Sequence, residues 1–208
     1  MRSELQKWDN FRGSGIVEIS AFGFSLRKPF VLAKTTEEMR MDVIEGGILG
    51  AGGSPLISIY MGRYLAMNSP VMPILDTLEL PNKISPETLA ILNTSDYILN
   101  RYGEEIIREK AIQRDSLSII FKNDYKVDSI VDSKSGARME FRYTSQGDLD
   151  EIELRAREGI SAKLIFDNIS YEKSSIVPLP QKESGSINLM ELWEEGEALQ
   201  LLKRLLGN

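Results

Sequence analysis

Histidine and cysteine are both absent from this chain of 208 residues. Without histidine, the chain has no Ser-His-Asp triad, no imidazole acid–base catalyst and no histidine ligand for zinc. Without cysteine, it has no catalytic thiol, no thiolate metal site and no disulfide. We therefore expect no catalytic activity, no metal site and no cofactor.

A concentrated basic surface is also missing. The net charge is −6 and the sequence pI is near 5.0. Basic residues are interleaved with acidic ones, as in Arg138, Glu140 and Arg142, which is typical of a solvated surface. Because binding to nucleic acid requires many basic residues on one face, we do not expect a nucleic-acid partner.

Long apolar runs are absent as well. No segment approaches the roughly 20 apolar residues that a transmembrane helix needs. Residues 1–10 are charged and lack the apolar centre of a signal peptide, so no export signal is expected in the chain itself. A hydrophobic content of 42% and a charged content of 27% are ordinary for a globular protein, and the length predicts one domain over residues 1–208.

Three consecutive segments alternate apolar and polar residues. The apolar positions are Ala137, Met139, Phe141 and Tyr143, then Ile152, Leu154 and Ala156, then Ile160, Ala162, Leu164 and Phe166. A period of two places each apolar set on one face of a β-strand. The connections at Gln146-Gly147 and Glu158-Gly159 are too short for crossover helices, so we predict an antiparallel meander with one apolar face. That face either packs as an ordinary core or lines a cavity for an apolar ligand.

Strand-like patterns recur along the rest of the chain. They cover residues 16–20, 22–26, 30–32, 39–43, 56–61, 117–121 and 126–131. Pro29 is expected to interrupt a strand, because proline cannot donate a hydrogen bond to a neighbouring strand. The patterns together predict roughly nine or ten strands in antiparallel order.

Two helices are predicted outside these strands. Ser85 followed by Pro86 is a typical helix start, and an apolar stripe at helical spacing continues it to about residue 101. Residues 103–109 fit a helix or a strand equally well. A second apolar stripe predicts a C-terminal helix over about 186–206. The fold class is therefore mainly β (α+β), with a loop–helix insertion at about 69–110 and a C-terminal helix as covers for the apolar face.

A glycine-rich run over residues 46–54 has some features of a nucleotide site. Gly47 and Gly52 have the spacing of the outer glycines in a phosphate-binding loop, and Ser54 stands at the position of a magnesium-binding hydroxyl. Gly53 occupies the position that requires lysine, and no helical pattern follows. We therefore predict a strand connection here, with a nucleotide-binding regulator as the third alternative for function.

Six short motifs occur in a distinctive order along the chain. They are Arg12-Gly13-Ser14-Gly15 after a helical start, Arg27-Lys28-Pro29, Met39-Arg40-Met41-Asp42, Ile57-Ser58-Ile59-Tyr60, Gly147-Asp148-Leu149 and Ile165-Phe166-Asp167-Asn168-Ile169. This order resembles the lipoprotein-carrier superfamily of bacterial envelopes, over residues 8–180. Gly52-Gly53-Ser54 replaces the usual Asp-Gly turn, and the C-terminal helix is an addition to the superfamily pattern.

The resemblance implies a strongly curved antiparallel sheet, an incomplete barrel over about 8–180, whose concave face is lidded by helices and a loop. It implies non-covalent carriage of an acyl chain, a lipid or a lipoprotein. The expected apolar lining is Phe22, Phe24, Met39, Met41, Ile57, Ile59, Met61, Met139, Phe141, Leu154, Leu164 and Phe166. The expected polar contacts are Arg27 and Arg40, and the expected lid residues are Met72, Leu75, Leu89 and Leu92. The implied location is the cell envelope or periplasm, with an envelope protein as a partner and peripheral or lipid-anchored membrane association.

A second class of function stays open beside carriage. With a fully packed core, the chain would be a protein-interaction module that docks a partner through its C-terminal helix or the 70–81 loop. A bound lipid favours carriage, whereas a filled core with an exposed apolar helix favours the interaction module.

Overall fold

A computed structural model of the chain contains one large antiparallel sheet. The structure describes residues 1–21, 24–46, 55–70, 78–79, 94–156, 159–180 and 187–188. Within these residues, eleven strands form the large sheet and two further strands form a separate pair. The fold is therefore mainly β, as the alternating sequence pattern predicted.

The elements follow one another in chain order. The helices are α1 (Arg2–Gln6) and α2 (Ser95–Glu109), and the strands are β1 (Phe11–Ala21), β2 (Phe24–Lys34), β3 (Met39–Ile44), β4 (Pro55–Met61), β5 (Leu65–Asn68), β6 (Leu78–Glu79), β7 (Ala111–Arg114), β8 (Leu117–Phe121), β9 (Val127–Asp132), β10 (Ala137–Tyr143), β11 (Leu149–Arg155), β12 (Ser161–Ser170) and β13 (Ile187–Asn188). Neither described helix is long and apolar enough to cross a membrane.

The strand order of the large sheet is β5-β4-β3-β2-β1-β12-β11-β10-β9-β8-β7. All neighbours are antiparallel, and most are consecutive strands joined as hairpins. The exception is the β1–β12 pair, which joins an N-terminal meander of five strands to a C-terminal meander of six. Because the end strands β5 and β7 do not pair with each other, the sheet is an open half-barrel.

Close approach of two backbones marks the β1–β12 pair. Val17 lies opposite Leu164 and Ile19 opposite Ala162, while the register shifts by one residue between Ser14 and Gly15. A Cβ atom placed on Gly15 would lie 1.9 Å from the carbonyl oxygen of Ile165. Only glycine therefore fits at this point of the central pairing.

The two faces of the sheet differ in chemistry. The inner face carries the main buried cluster, which is Phe11, Val17, Phe30, Leu32, Val43, Phe141, Leu149 and Phe166. On the outer face of β10–β12, Arg142 binds Glu151 at 2.9 Å, Lys163 binds the same carboxylate at 3.3 Å, and Arg155 binds Glu153 at 2.9 Å. The strand alternation thus separates an apolar surface from a solvated one.

Helices α1 and α2 cover the inner face beside β7–β9. A second buried cluster joins them to the sheet, and its members are Leu5, Tyr102, Ile106, Ile112, Ile119 and Phe121. The ambiguous segment 103–109 is helical because Tyr102 and Ile106 lie one turn apart and both enter this cluster.

The helix expected over 86–101 can be compared with the structure only from residue 94 onward. Thr94 has extended backbone angles (φ −124°, ψ 113°), so α2 starts at Ser95, and the predicted start at Ser85 lies outside the described residues. The carboxylate of Asp9 accepts hydrogen bonds from the Ser95 backbone N–H at 2.7 Å and from its hydroxyl at 2.5 Å. A residue distant in sequence therefore satisfies the first N–H of the helix, a role that local capping signals cannot reveal.

Pro29 lies inside β2, so the expected interruption of a strand is wrong. It pairs with Ile16 of β1, whereas the pairing of β2 with β3 starts only at Phe30. Proline is accommodated here because β2 has a single neighbouring strand at this position.

The C-terminal segment also differs from the prediction at the point where it is described. Ile187–Asn188 forms strand β13, which pairs in parallel with Leu78–Glu79 (β6), so the C-terminal helix does not begin at 186. Residues 189–206 of that predicted helix lie outside the described residues. The antiparallel order expected throughout holds for the large sheet and fails for this pair.

The turns of the predicted meander are confirmed. Gly147 has φ +92° between β10 and β11, and Gly159 has φ +75° between β11 and β12. Positive φ is favourable only for glycine in most turns, which is why these two residues mark the connections. The glycine run at 47–54, by contrast, lies outside the described residues.

Substitution of Gly15 by alanine tests the importance of the β1–β12 pairing. The added methyl group would force two central strands apart, so we expect the free energy of unfolding to fall by about 2–4 kcal/mol. Gly46→Ala is the matched control, because a Cβ there meets nothing within 4 Å, and urea denaturation of both variants measures the difference. Equal stability of the two variants would contradict the close approach.

Candidate functional site

An uninterrupted row of apolar side chains crosses the inner face of eight strands. In register order the row is Ile112, Ile119, Ile130, Met139, Leu154, Ala162, Ile19 and Leu26. We call this set the long apolar row. Ile112 and Ile119 are buried under α2, whereas the other six members are only partly buried. The row therefore continues beyond the part that the helices cover.

The expected apolar lining lies on this same face. Ten of its residues are placed there by the strand register, namely Met39, Met41, Ile57, Ile59, Met61, Met139, Phe141, Leu154, Leu164 and Phe166. Phe141 and Phe166 are 6% and 8% exposed and belong to the main buried cluster, so they act as core. The other eight are partly buried. Phe22 and the side chain of Phe24 lie outside the described residues.

Aromatic packing closes one end of the inner face. The Trp8 ring stacks on Phe11 at 5.8 Å between centroids and meets Phe141 edge-on at 5.7 Å. The space that remains beside Trp8, Tyr143 and Leu149 is about 10 Å³, which is roughly the room that one water molecule needs. An acyl chain does not fit at this end. The partly buried rows lie toward the opposite end.

A buried lysine stands at the closed end. Lys34 is 7% exposed, and its ammonium group donates hydrogen bonds to the carbonyl oxygens of Trp8 and of Thr35, the latter at 3.4 Å. Burial lowers the pKa of Lys34 to about 8, and the nearby carboxylate of Asp9 opposes that shift. Through Trp8 and Asp9, Lys34 ties the end of β2 to the connection that positions α2.

The two arginines expected to contact a headgroup lie on the outer face. Arg27 is exposed and binds Glu18 at 3.2 Å across the β1–β2 pair. Arg40 binds Asp42 at 3.0 Å and donates a hydrogen bond to the carbonyl oxygen of Val177 at 2.8 Å. The structure does not bring these arginines together with the apolar lining, because strand alternation points them away from it.

Arg40 belongs to a group of side chains that hold residues 174–179 against the outer face. We call residues 174–179 the outer strap. The Tyr64 hydroxyl donates a hydrogen bond to the carbonyl oxygen of Leu179 at 2.6 Å, and Leu179 packs in a buried cluster with Tyr60 and Ala66. The Tyr60 hydroxyl donates to Glu38 at 2.7 Å, and burial together with this contact raises the pKa of Tyr60. These polar residues on and next to β3–β5 hold the strap in place on the outer face.

The four expected lid residues, Met72, Leu75, Leu89 and Leu92, lie outside the described residues. Within the described part of the insertion, α2 covers the inner face next to β7–β9. The cover of the remaining inner face therefore stays a prediction.

Sequence analysis missed Lys28 as a residue of the inner face. Its cross-strand partner Val17 is 2% exposed, and Phe30, two residues along the same strand, is 1% exposed. Lys28 is partly buried beside them. The alternation of Leu26, Lys28 and Phe30 carries this signal, but the assumption that Pro29 breaks the strand hides it.

The buried position of Lys34 predicts a specific pH dependence. Between the folded pKa of about 8 and the ordinary value of 10.5, the unfolded chain keeps a proton that the folded chain has released. Stability therefore rises with pH across this window. We expect the free energy of unfolding of the native sequence to rise by about 1–2 kcal/mol relative to Lys34→Met between pH 7.5 and 9.5. Urea denaturation at both pH values measures it, and a pH-independent difference between the two proteins would refute it.

No protein-family model and no curated protein sequence matches the chain. Among solved structures, a LolA superfamily protein from Nitrosomonas europaea has 11% identity and a TM-score of 0.43, covering 85% of this chain and 94% of its own. A Vibrio parahaemolyticus domain described as outer membrane lipoprotein-sorting has 8% identity and a TM-score of 0.43, covering 81% and 90%. A DUF1329 family protein from Desulfovibrio piger has 10% identity and a TM-score of 0.36, covering 96% of both chains. Because these identities and TM-scores are low, the function is argued from the geometry of the chain itself.

Proposed function

We propose that this protein binds and carries an apolar ligand on the inner face of its half-barrel without catalysing a reaction. The ligand class is an acyl chain, either as part of a lipid or attached to a lipoprotein. The observation that supports this most directly is the long apolar row, of which Ile130, Met139, Leu154, Ala162, Ile19 and Leu26 are partly buried.

The physical chemistry of the row favours an apolar occupant. Apolar surface that remains in contact with water costs free energy, and each buried methylene of a ligand gains about 0.8 kcal/mol. Leu154 and Leu26 belong to none of the buried clusters formed by the described residues. An acyl chain laid along the row would give these side chains the apolar neighbours that the core gives to Ile119.

The chemistry of neighbouring positions supports a ligand of variable shape. Met39, Met41 and Met61 lie on the inner face of β3 and β4, next to the isoleucines of β4. Methionine is unbranched and adapts to irregular contacts, which suits a chain without a fixed conformation. We propose that the rows of β3 and β4 extend the binding surface beyond the long apolar row.

The order of motifs that resembles the lipoprotein-carrier superfamily supports a location in the bacterial cell envelope. In that setting, the ligand would come from a membrane or from an acylated protein. A protein partner in the envelope would deliver or receive it, and association with the membrane would be peripheral or through a lipid anchor.

Native mass spectrometry of freshly purified protein, followed by organic extraction and lipid analysis, tests the proposal. We expect a stoichiometric lipid or fatty acid, or uptake of a fluorescent fatty-acid probe by the ligand-free protein. A ligand-free mass together with no uptake of the probe would refute carriage and favour the protein-interaction module.

A matched pair of substitutions tests whether the ligand binds to the inner face of the sheet. Leu164 lies on the inner face and Ile165 on the outer face of the same strand, and both are partly buried. We expect Leu164→Asn to weaken binding of the probe roughly tenfold, because one large apolar contact is lost. Ile165→Asn should leave the affinity unchanged, and equal effects of the two changes would count against the inner face as the site.

A further inference from the structure

We propose that the ligand is an anionic amphiphile whose charged headgroup binds Lys28. This inference rests on the proposed function and specifies its ligand class. It also replaces Arg27 and Arg40 as headgroup contacts, since both arginines are engaged on the outer face.

The register places Lys28 among apolar residues of the inner face. It lies opposite Val17, which in turn lies opposite Leu164, and its neighbours on the same side of β2 are Leu26 and Phe30. The aliphatic stem of a lysine packs well against such residues, while the ammonium group needs water or an anion. Lys28 is therefore a cation next to an apolar surface.

Other charged residues on the inner face already have protein partners. Lys34 donates to the Trp8 carbonyl oxygen, Arg114 binds Glu105 at 2.9 Å, and Asp132 accepts a hydrogen bond from the Ser135 hydroxyl at 2.6 Å. Lys28, in contrast, forms no hydrogen bond or ion pair in the part of the chain that the structure describes.

An anion that reaches this position gains a charged partner. A hydrogen bond between two charged groups is stronger than one between neutral groups. An amphiphile supplies both parts at once, since its anion meets Lys28 while its chain covers the apolar rows. A neutral or cationic amphiphile supplies only the second part.

The positions of Lys28 and the long apolar row fit a single extended chain. Leu26, the β2 member of the row, is two residues from Lys28 on the same face. From β2 the row passes through β1, β12 and β11 to Met139 on β10. Four strand spacings of about 4.8 Å make this path roughly 19 Å long, so the headgroup would lie at the β2 end and the chain would run across the strands.

Four amphiphiles with the same saturated chain test the headgroup preference. They are hexadecanoate, hexadecyl phosphate, hexadecanol and hexadecyltrimethylammonium, each displacing a neutral fluorescent probe from the native protein. We expect both anions to bind roughly tenfold more tightly than the alcohol, and the cation to bind most weakly. If hexadecanoate binds more tightly than hexadecyl phosphate, the headgroup is a carboxylate. If hexadecyl phosphate binds more tightly than hexadecanoate, the headgroup is a phosphate. Either order supports an anionic ligand.

Four variants assign the preference to Lys28. Lys28→Gln should weaken the binding of hexadecanoate roughly tenfold and leave the binding of hexadecanol unchanged. Lys28→Glu should weaken the binding of hexadecanoate further. Lys28→Arg should retain the preference for anionic headgroups. Arg27→Gln is the matched control, because it removes the same charge one residue away on the outer face and should leave binding unchanged. Urea denaturation verifies that each variant is folded.

The outcomes separate this inference from the proposed function. If hexadecanol binds as tightly as hexadecanoate and Lys28→Gln changes neither, the role of Lys28 is refuted while apolar binding stands. If Lys28→Gln and Arg27→Gln weaken the binding of the two anions equally, the effect comes from net charge and the role of Lys28 is again refuted. If none of the four amphiphiles binds, the proposed function itself fails, and the inference fails with it.

Discussion

The pairing of β1 with β12 is the constraint on which the rest of this structure depends. It joins two meanders that would otherwise be separate sheets, and it requires glycine at position 15 because the Ile165 carbonyl leaves no room for a Cβ atom. Through this pair, Ile19 meets Ala162 and Val17 meets Leu164. The inner face thereby becomes continuous from β2 to β10, and an apolar surface long enough for an acyl chain is a direct consequence of one strand contact.

The two faces of the sheet are covered by different parts of the chain. On the outer face, the strap at 174–179 covers Tyr60 and Ala66, and ion pairs such as Arg142–Glu151 cover β10–β12. On the inner face, α1 and α2 bury the side next to β7–β9, and Trp8 closes one end. What remains is a partly buried apolar surface between these covers. Under the proposed function, the hydrophobic effect would stabilise a ligand on that surface.

Charge is sorted between the same two faces. Arg27 and Arg40 bind acidic partners on the outer face, so they stabilise hairpins and the strap. Lys34 is used inside the fold, where it ties β2 to the segment that caps α2. Lys28 differs from the two arginines because it lies on the inner face, and from Lys34 because it forms no hydrogen bond or ion pair with the described residues. Under the proposed function, a cation at this place on the inner face would let the protein distinguish ligands by their headgroup as well as by their chain.

Local sequence patterns predict most strands of the large sheet, their one-sided chemistry and the hairpin turns, because a period of two and glycines such as Gly147 act over only a few residues. From these signals the apolar face and ten of its residues were predictable. Tertiary contacts set which charges share that face, where α2 begins and which strands join the two meanders. Each of these depends on groups far apart in the chain: Asp9 caps a helix that starts 86 residues later, Pro29 is accommodated because β3 ends beside it, and Val17 meets Leu164 across the sheet. Local patterns carry no information about such contacts, because the free energy of these contacts comes from packing between segments that are distant in the chain.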